Sequence, residues 1–255
     1  GADTDDESTS GNNSADDQIG GQTAQANSRS GDGDGVSQSA SKNGGDVSVA
    51  AAIAVNVSSS TAEALVDASS ITANGGDLSL ETSNNMDSSA LAEGTAVTNA
   101  DSTAIGVAVA INVGTMTNSA TVAAGTDATA QGLTLSSVMK DVDGDTTHTH
   151  LAKAASGAGG GDTGIAGSFA LSVIHSDTTP IFGGTGSTLT LNGGAIDIDG
   201  QSLSKHQVLA SAKGLSKGSD STGVGAGIAL GIIFDTTDGG IADNTVMNGT
   251  ANGVG

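Results

Sequence analysis

The sequence predicts an all-β protein, a right-handed parallel β-solenoid (β-helix) built from repeats of about 59 residues with three coils in each repeat. Three observations predict this fold. One apolar phrase recurs at long intervals, its large residues alternate with small ones, and turn residues follow it at a nearly fixed distance. A solenoid explains the recurrence, because one copy of such a unit cannot bury its apolar face without stacked neighbours.

The apolar phrase occurs as AAAIAVNV, GVAVAINV, AGSFALSV and GAGIALGI, which begin at positions 50, 106, 166 and 225, so successive copies are separated by nearly equal lengths of chain. In each copy a large apolar residue alternates with Ala, Asn, Ser or Gly, and a period of two is typical of a β-strand. We expect the large residues to face the core. Ile53, Val109, Phe169 and Ile228 then occupy equivalent inward layers, and the small residues form the outer face.

Each repeat consists of three segments, which we call lines: the first contains the apolar phrase, and two more follow it. Turn residues precede short strands at 72–80, 129–135 and 191–198. Ala-rich lines follow at 89–97, 150–158 and 208–216. Three lines of about twenty residues match three solenoid coils, so we expect roughly a dozen coils in all.

The predicted organisation has two parts. An acidic lead-in rich in Gly, Ser and Asp, or a degenerate coil, covers residues 1–45, and the solenoid array covers 46–255. The array divides into repeats at 46–101, 102–162, 163–220 and 221–255, of which the last is partial.

Composition excludes several classes of function. The 255 residues include 28 Asp and Glu against 7 Lys and Arg, a net charge of −21, so a nucleic-acid backbone would be repelled. The chain has no Cys and therefore no disulfide framework or thiolate zinc site. Its longest apolar run, at 223–234, falls short of the roughly 20 residues of a membrane-spanning helix, so we expect no membrane insertion.

One acidic motif predicts a metal site. Asp141, Asp143 and Asp145 in DVDGD have the 1, 3, 5 spacing of calcium loops, and Gly144 permits a tight turn. Carboxylate oxygens are the ligands that Ca²⁺ takes. The motif lacks the bidentate Glu that such loops place at position 12, so an acidic, solvent-exposed turn is the alternative. GDGDG at 31–35 is a shorter version.

Three other motifs do not predict a catalytic site. GLSKG around Ser216 matches a nucleophile elbow by chance, because all four histidines precede it instead of following it. GGGDTG at 159–164 precedes a predicted strand and not the helix that would hold a pyrophosphate. HTH places His148 and His150 on one face, and without a third ligand an ordinary exposed strand is favoured.

The phrases GVAVAINV, TVAAGTDATAQGLTL and TANGGDLSL resemble the β-strand repeats of very large bacterial surface proteins, the filamentous-haemagglutinin-like and leukotoxin-like adhesins. The resemblance covers residues 46–255. It implies a secreted, rod-shaped and largely non-enzymatic protein, located outside the cell or on the surface of a bacterium, and it supplies no catalytic residues.

The expected function is a non-enzymatic, extracellular structural or adhesive protein, a stiff rod or fibre-forming repeat segment. The expected partners are further repeats of the same chain, or a second copy in an end-to-end homo-oligomer, because the sequence stops within the second phrase, at TANGVG (250–255), and leaves strand edges to pair. One alternative is a carbohydrate-active β-helix enzyme, although the chain offers one Arg, no Trp and no Tyr for a sugar site. Another is a calcium-dependent ice-binding or surface-binding module, although TLTL at 188–191 and LTL at 133–135 are too few for a regular Thr array.

Overall fold

The fold is entirely β-structure in the part of the chain that the computed structural model describes, residues 36–43, 47–98, 102–159, 161–215 and 221–250. This confirms the all-β part of the predicted fold class. No helix in these ranges has the length and apolarity that a membrane span requires. The strands are β1 (Val36–Asn43), β2 (Val47–Val66), β3 (Ser70–Thr72), β4 (Leu78–Asn84), β5 (Ser88–Val97), β6 (Thr103–Val122), β7 (Asp127–Ala130), β8 (Leu133–Met139), β9 (His148–Gly159), β10 (Thr163–Phe182), β11 (Thr188–Asn192), β12 (Ile196–Gly200), β13 (Ser204–Gly214), β14 (Thr222–Thr237), β15 (Gly240–Ile241) and β16 (Val246–Thr250).

The strands form four parallel sheets that the chain visits in turn. Sheet A has the order β1-β5-β9-β13, sheet B β14-β10-β6-β2, sheet C β16-β11-β7-β3 and sheet D β12-β8-β4, and β15 extends the pairing of β10. From β2 onwards the chain passes through B, C, D and A before it returns to B. Stacked parallel sheets joined in this way are the arrangement of a β-solenoid, as the sequence predicts.

The number of coils per repeat differs from the prediction. In sheet B, Thr103 pairs with Val47, Thr163 with Thr103 and Thr222 with Thr163, so each strand pairs with the strand one whole repeat before it. Coils of about twenty residues would pair residues about twenty apart. Three coils per repeat is therefore wrong, and so is the expected dozen coils. The turns between the lines, such as that at Gly75 with φ 75°, lead the chain into a different sheet and not back onto the same one.

The orientation of sheet B also differs from the prediction. The register places Ile53, Val109, Phe169 and Ile228 side by side, which confirms that they are equivalent. They do not face the core, however, since Ile53 and Ile228 are each 63% exposed. The small residues face the interior, and the alanines next to the first three, at 54, 110 and 170, are fully buried.

Close approach of sheets A and B explains this orientation. A Cβ placed on Gly106 of β6 would lie 2.9 Å from the carbonyl oxygen of Gly94 in sheet A, and closer still to that of Gly157. A Cβ on Gly94 would likewise collide with the backbone of Val107. Facing sheets are commonly about 10 Å apart, and these are nearer. Small side chains fill most of the space between them, so the apolar core here is almost entirely alanine.

The interior widens where the second half of sheet B meets sheets C and D. Larger side chains are buried there, including Val122, Leu133, Leu135, Phe182 and Leu189, all at most 1% exposed. Each turn of the coil thus has a narrow alanine-lined arm and a wider end lined by Leu and Phe. The large apolar residues of the narrow arm remain on its outer surface.

Candidate functional site: an outer apolar face and an interior histidine stack

The DVDGD motif forms a tight exposed turn. Val142 and Asp145 exchange two backbone hydrogen bonds, each with an N to O distance of 2.9 Å. Between them Asp143 has φ 53° and Gly144 has φ 89°. Two central residues with positive φ are typical of a type I′ turn, for which Asp-Gly is a preferred sequence.

The carboxylates of this turn bind the local backbone. Asp141 Oδ1 accepts a hydrogen bond of 2.7 Å from the Gly144 N–H, and Asp145 Oδ1 accepts one of 2.9 Å from the Thr147 N–H. Within the described ranges no three acidic, His or Cys side chains are grouped so that they could hold a metal ion. The calcium site at Asp141, Asp143 and Asp145 stays a prediction, and the shorter motif at 31–35 lies outside the described residues.

Two of the remaining motifs also have defined outcomes. GGGDTG at 159–164 leads into strand β10, as expected. Ser216 lies outside the described residues. His148 and His150 share one face of β9, as HTH predicts, but both are only 1% exposed, so the expected exposed strand is wrong.

A shallow groove lies over the outer side of sheet A. Its volume is about 350 Å³, and Gly157 and Gly159 form part of its wall. The charged residues that line it are Glu93 and Lys213. Glycoside hydrolysis typically uses a pair of carboxylates, and this groove offers one. The groove therefore does not favour the carbohydrate-active alternative.

The interior contains a stack of three histidine rings. His148 and His150 lie on β9, and their ring centroids are 6.5 Å apart with an angle of 26° between the planes. His206 of β13 pairs in register with His150, at a centroid distance of 5.1 Å and an angle of 17°. The parallel pairing of β9 with β13 brings the last two rings together.

Neutral donors and acceptors surround the buried end of this stack. The backbone N–H of Met86 donates a 2.9 Å hydrogen bond to His148 Nδ1. Ser88 Oγ lies 2.8 Å from His150 Nδ1, and Asn112 Nδ2 donates to the same Ser88 oxygen at 2.9 Å. Because His150 Nε2 is buried without a hydrogen-bond partner among the described residues, the site is poorly suited to a charged imidazolium.

Burial lowers the pKa of all three interior histidines. Loss of solvation lowers the pKa of His150 to about 4, with smaller contributions from His206 and His148, while the Asp235 carboxylate acts in the opposite direction. Loss of solvation is also the largest cause of the lowered pKa of His148 and of His206. The stack is therefore neutral near pH 7 and sensitive to acid.

Sequence reasoning missed His206 as a member of this stack and Asp235 as the exposed carboxylate whose charge acts on it. His206 follows His150 at the same separation that divides the first two copies of the apolar phrase, which begin at positions 50 and 106. Applying that step to the histidines would have paired them. Asp235 lies near the end of β14 and carries no motif that marks it.

The outer side of sheet B carries the second feature, which we call the apolar face. It consists of alternate residues, counted from the first, in 47–57, 105–113, 165–173 and 224–232. All are Val, Ile, Leu, Phe, Ala or Gly, and none is charged. Beyond residue 113 the outward positions of β6 become polar, with Thr115 and Thr117 first.

No family model, curated protein or solved structure matches this chain.

Proposed function

We propose that the chain is a non-enzymatic structural segment of a bacterial surface protein, a stiff rod or fibre unit that acts outside the cell. The observation that supports this proposal is the pairing of sheet B. Strand β6 pairs with β2 on one side and with β10 on the other along all of residues 103–122, without a slip in register. Bending such a stack would break hydrogen bonds in several sheets at once, so it resists bending.

The proposal includes a right-handed coil. Parallel strands of one sheet that are joined by a crossover form a right-handed turn in about 98% of known cases, because of the twist of the strands. All the strand pairs of the four sheets are parallel and joined by such crossovers. The proposed unit resembles the repeats of the large bacterial adhesins, in which the rod presents or spaces a surface.

Further repeats or a second copy are the proposed axial partners. Strand β14 pairs with β10 on one side, and no other described strand lies on its second side. The backbone groups of such an edge are a template for another strand. The next coil of a longer chain, or the first coil of another copy, would extend the ladder along the axis.

Chains of increasing repeat number test the rod. We would insert six additional copies of residues 103–162 after residue 162 and measure small-angle X-ray scattering. Six further coils should lengthen the particle by about 29 Å, at about 4.8 Å per stacked strand, with an unchanged cross-section. The matched control carries the same insert with Gly114 deleted from each copy, which shifts the second half of the strand by one residue and reverses its faces.

The two proteins should differ clearly. The intact insert should give a longer particle of constant cross-section, and the control insert should not. A particle that grows in all directions with the intact insert, or equal behaviour of the two inserts, would contradict the proposed rod.

A further inference from the structure

We propose that the apolar face is a docking surface for a second copy of this chain, so that two solenoids pack with their B sheets face to face. This goes beyond the proposed function, which requires association along the axis only. The two associations use different parts of the molecule. Axial stacking uses strand edges, and the proposed dimer uses side chains that stand on the sheet.

Exposure of large apolar side chains is the first argument. Ile53 is 63% exposed, Val57 74% and Ile228 63%, and they belong to one continuous face without a charged residue. The largest apolar patch on a typical monomer covers about 300–600 Å² and is often an interaction site. A face of this composition on a chain of net charge −21 indicates a surface that another molecule covers when the protein functions.

The rest of this sequence does not supply the cover. Residues 1–35 contain one large apolar residue, Ile19, among many Asp, Ser and Gly. The other segments outside the described ranges are short, and Val254 is the large apolar residue they contain. A polar, acidic segment would lose solvation on an apolar sheet and gain little contact there. The occupant must therefore come from outside this sequence.

The area of the face fits a second copy. The face spans eleven residues of β2 and nine of each of the other three strands, which at about 3.3 Å per residue and about 4.8 Å per strand gives about 600 Å² on each copy. Two such faces together bury about 1,200 Å², at the lower end of the usual range of about 1,200–2,000 Å² for stable protein interfaces. Because both copies use the same patch, the dimer is two-fold symmetric and closes at two chains.

Charge also favours this mode of pairing. The chain carries four times as many acidic as basic residues, 28 against 7, so most contacts between two copies bring carboxylates together. The apolar face contributes no carboxylates to such a contact. Beyond it, the outward positions of the same strands include Glu63 and Asp177. The apolar half of sheet B is thus the part where two copies can meet without this repulsion.

Sedimentation velocity of the full chain, over a concentration series, tests the dimer. The disrupting variant is V109K/I111K, which places two charges at the centre of the face, and the matched control is T115K/T117K on the same strand and the same side. Both variants change the net charge equally. Facing lysines across a symmetric contact should weaken the dimer by about a hundredfold or more. Circular dichroism and the melting temperature report folding of each variant.

We expect a wild-type dimer, a folded V109K/I111K monomer and a T115K/T117K dimer. A wild type that stays monomeric at every concentration would overturn the proposal, as would loss of the dimer in both variants, which would indicate a general effect of charge. A dimer that persists in V109K/I111K, or species that grow beyond two chains in all three proteins, would place the contact at the strand edges and overturn it as well. If V109K/I111K fails to fold, I53K/V57K on strand β2, where both side chains are highly exposed, takes its place in the same comparison.

Discussion

Gly106→Val should abolish cooperative folding, whereas Gly167→Val should leave the chain at least as stable as the wild type. Gly106 faces the narrow interior, where an added Cβ would collide with the carbonyl oxygens of Gly94 and Gly157. Both oxygens belong to the backbone of the facing sheet, so relief requires the sheets to separate. The cost should exceed about 4 kcal/mol, as for other mutations that disrupt a close-packed core.

Gly167 provides the matched control because it lies on the outer side of the neighbouring strand. A Cβ added there has no heavy atom of the described ranges within 4 Å. Valine also favours the extended backbone more than glycine does, which should add up to about 1 kcal/mol of stability. Denaturant unfolding followed by circular dichroism measures both variants. Equal losses of stability, or a larger loss for Gly167→Val, would contradict the assignment of the interior.

Acidification from pH 6.5 to pH 4 should destabilise the fold through the histidine stack. The pKa of His150 is about 4 in the folded chain and 6.5 when the residue is solvated. Between these values the unfolded chain binds more protons than the folded chain, so the free energy of unfolding falls as the pH falls. The contribution of neutral His150 to the free energy of unfolding is fully present above pH 6.5. Its loss in acid amounts to on the order of 3 kcal/mol.

Comparison of His150→Gln with His175→Gln isolates this effect. Carboxylates also gain protons near pH 4 in every variant, so the informative quantity is the difference between variants in how stability depends on pH. His175 lies on the outer side of sheet B, where its Nε2 is 2.8 Å from Asp177 Oδ2. We expect His150→Gln to flatten the fall in melting temperature over pH 6.5 to 4 and His175→Gln to retain it. The same slope in wild type and His150→Gln would show that the stack does not sense acid.

The strand content and the equivalence of the four copies of the apolar phrase could be predicted from the sequence, because both depend on the spacing of residues along the chain. Alternation of large and small residues requires an extended backbone, and the regular spacing of the apolar phrase aligns Ile53 with Val109, Phe169 and Ile228. The coil size could not be predicted in the same way. A turn at Gly75 or Gly125 marks a corner, but local sequence does not say whether the next strand joins the same sheet or another.

The choice of inward face could not be predicted because either set of residues is compatible with a core. Ala110 and Ile111 are both apolar, and large residues are the usual choice for the interior. The separation of sheets A and B decides which set faces inward. This separation depends on Gly94 and Gly106, which lie on different strands and meet across the interior. The candidate site could likewise be predicted only in part. HTH places His148 and His150 on one face, but their burial follows from the fold.

The reactivity of single thiols tests whether the small residues of sheet B face inward and the large ones outward. The chain has no cysteine, so S172C and V173C each introduce one thiol, at adjacent positions and with little change in size. Ser172 is fully buried and its Oγ has no hydrogen-bond partner in the part of the chain that the structure describes, while Val173 lies on the outer side. The reaction with a thiol reagent is followed at a dilution at which the chain sediments as a single copy. We expect V173C to react at close to the rate of a free thiol and S172C to react only as the chain unfolds. Rapid reaction of S172C together with protection of V173C would contradict this orientation.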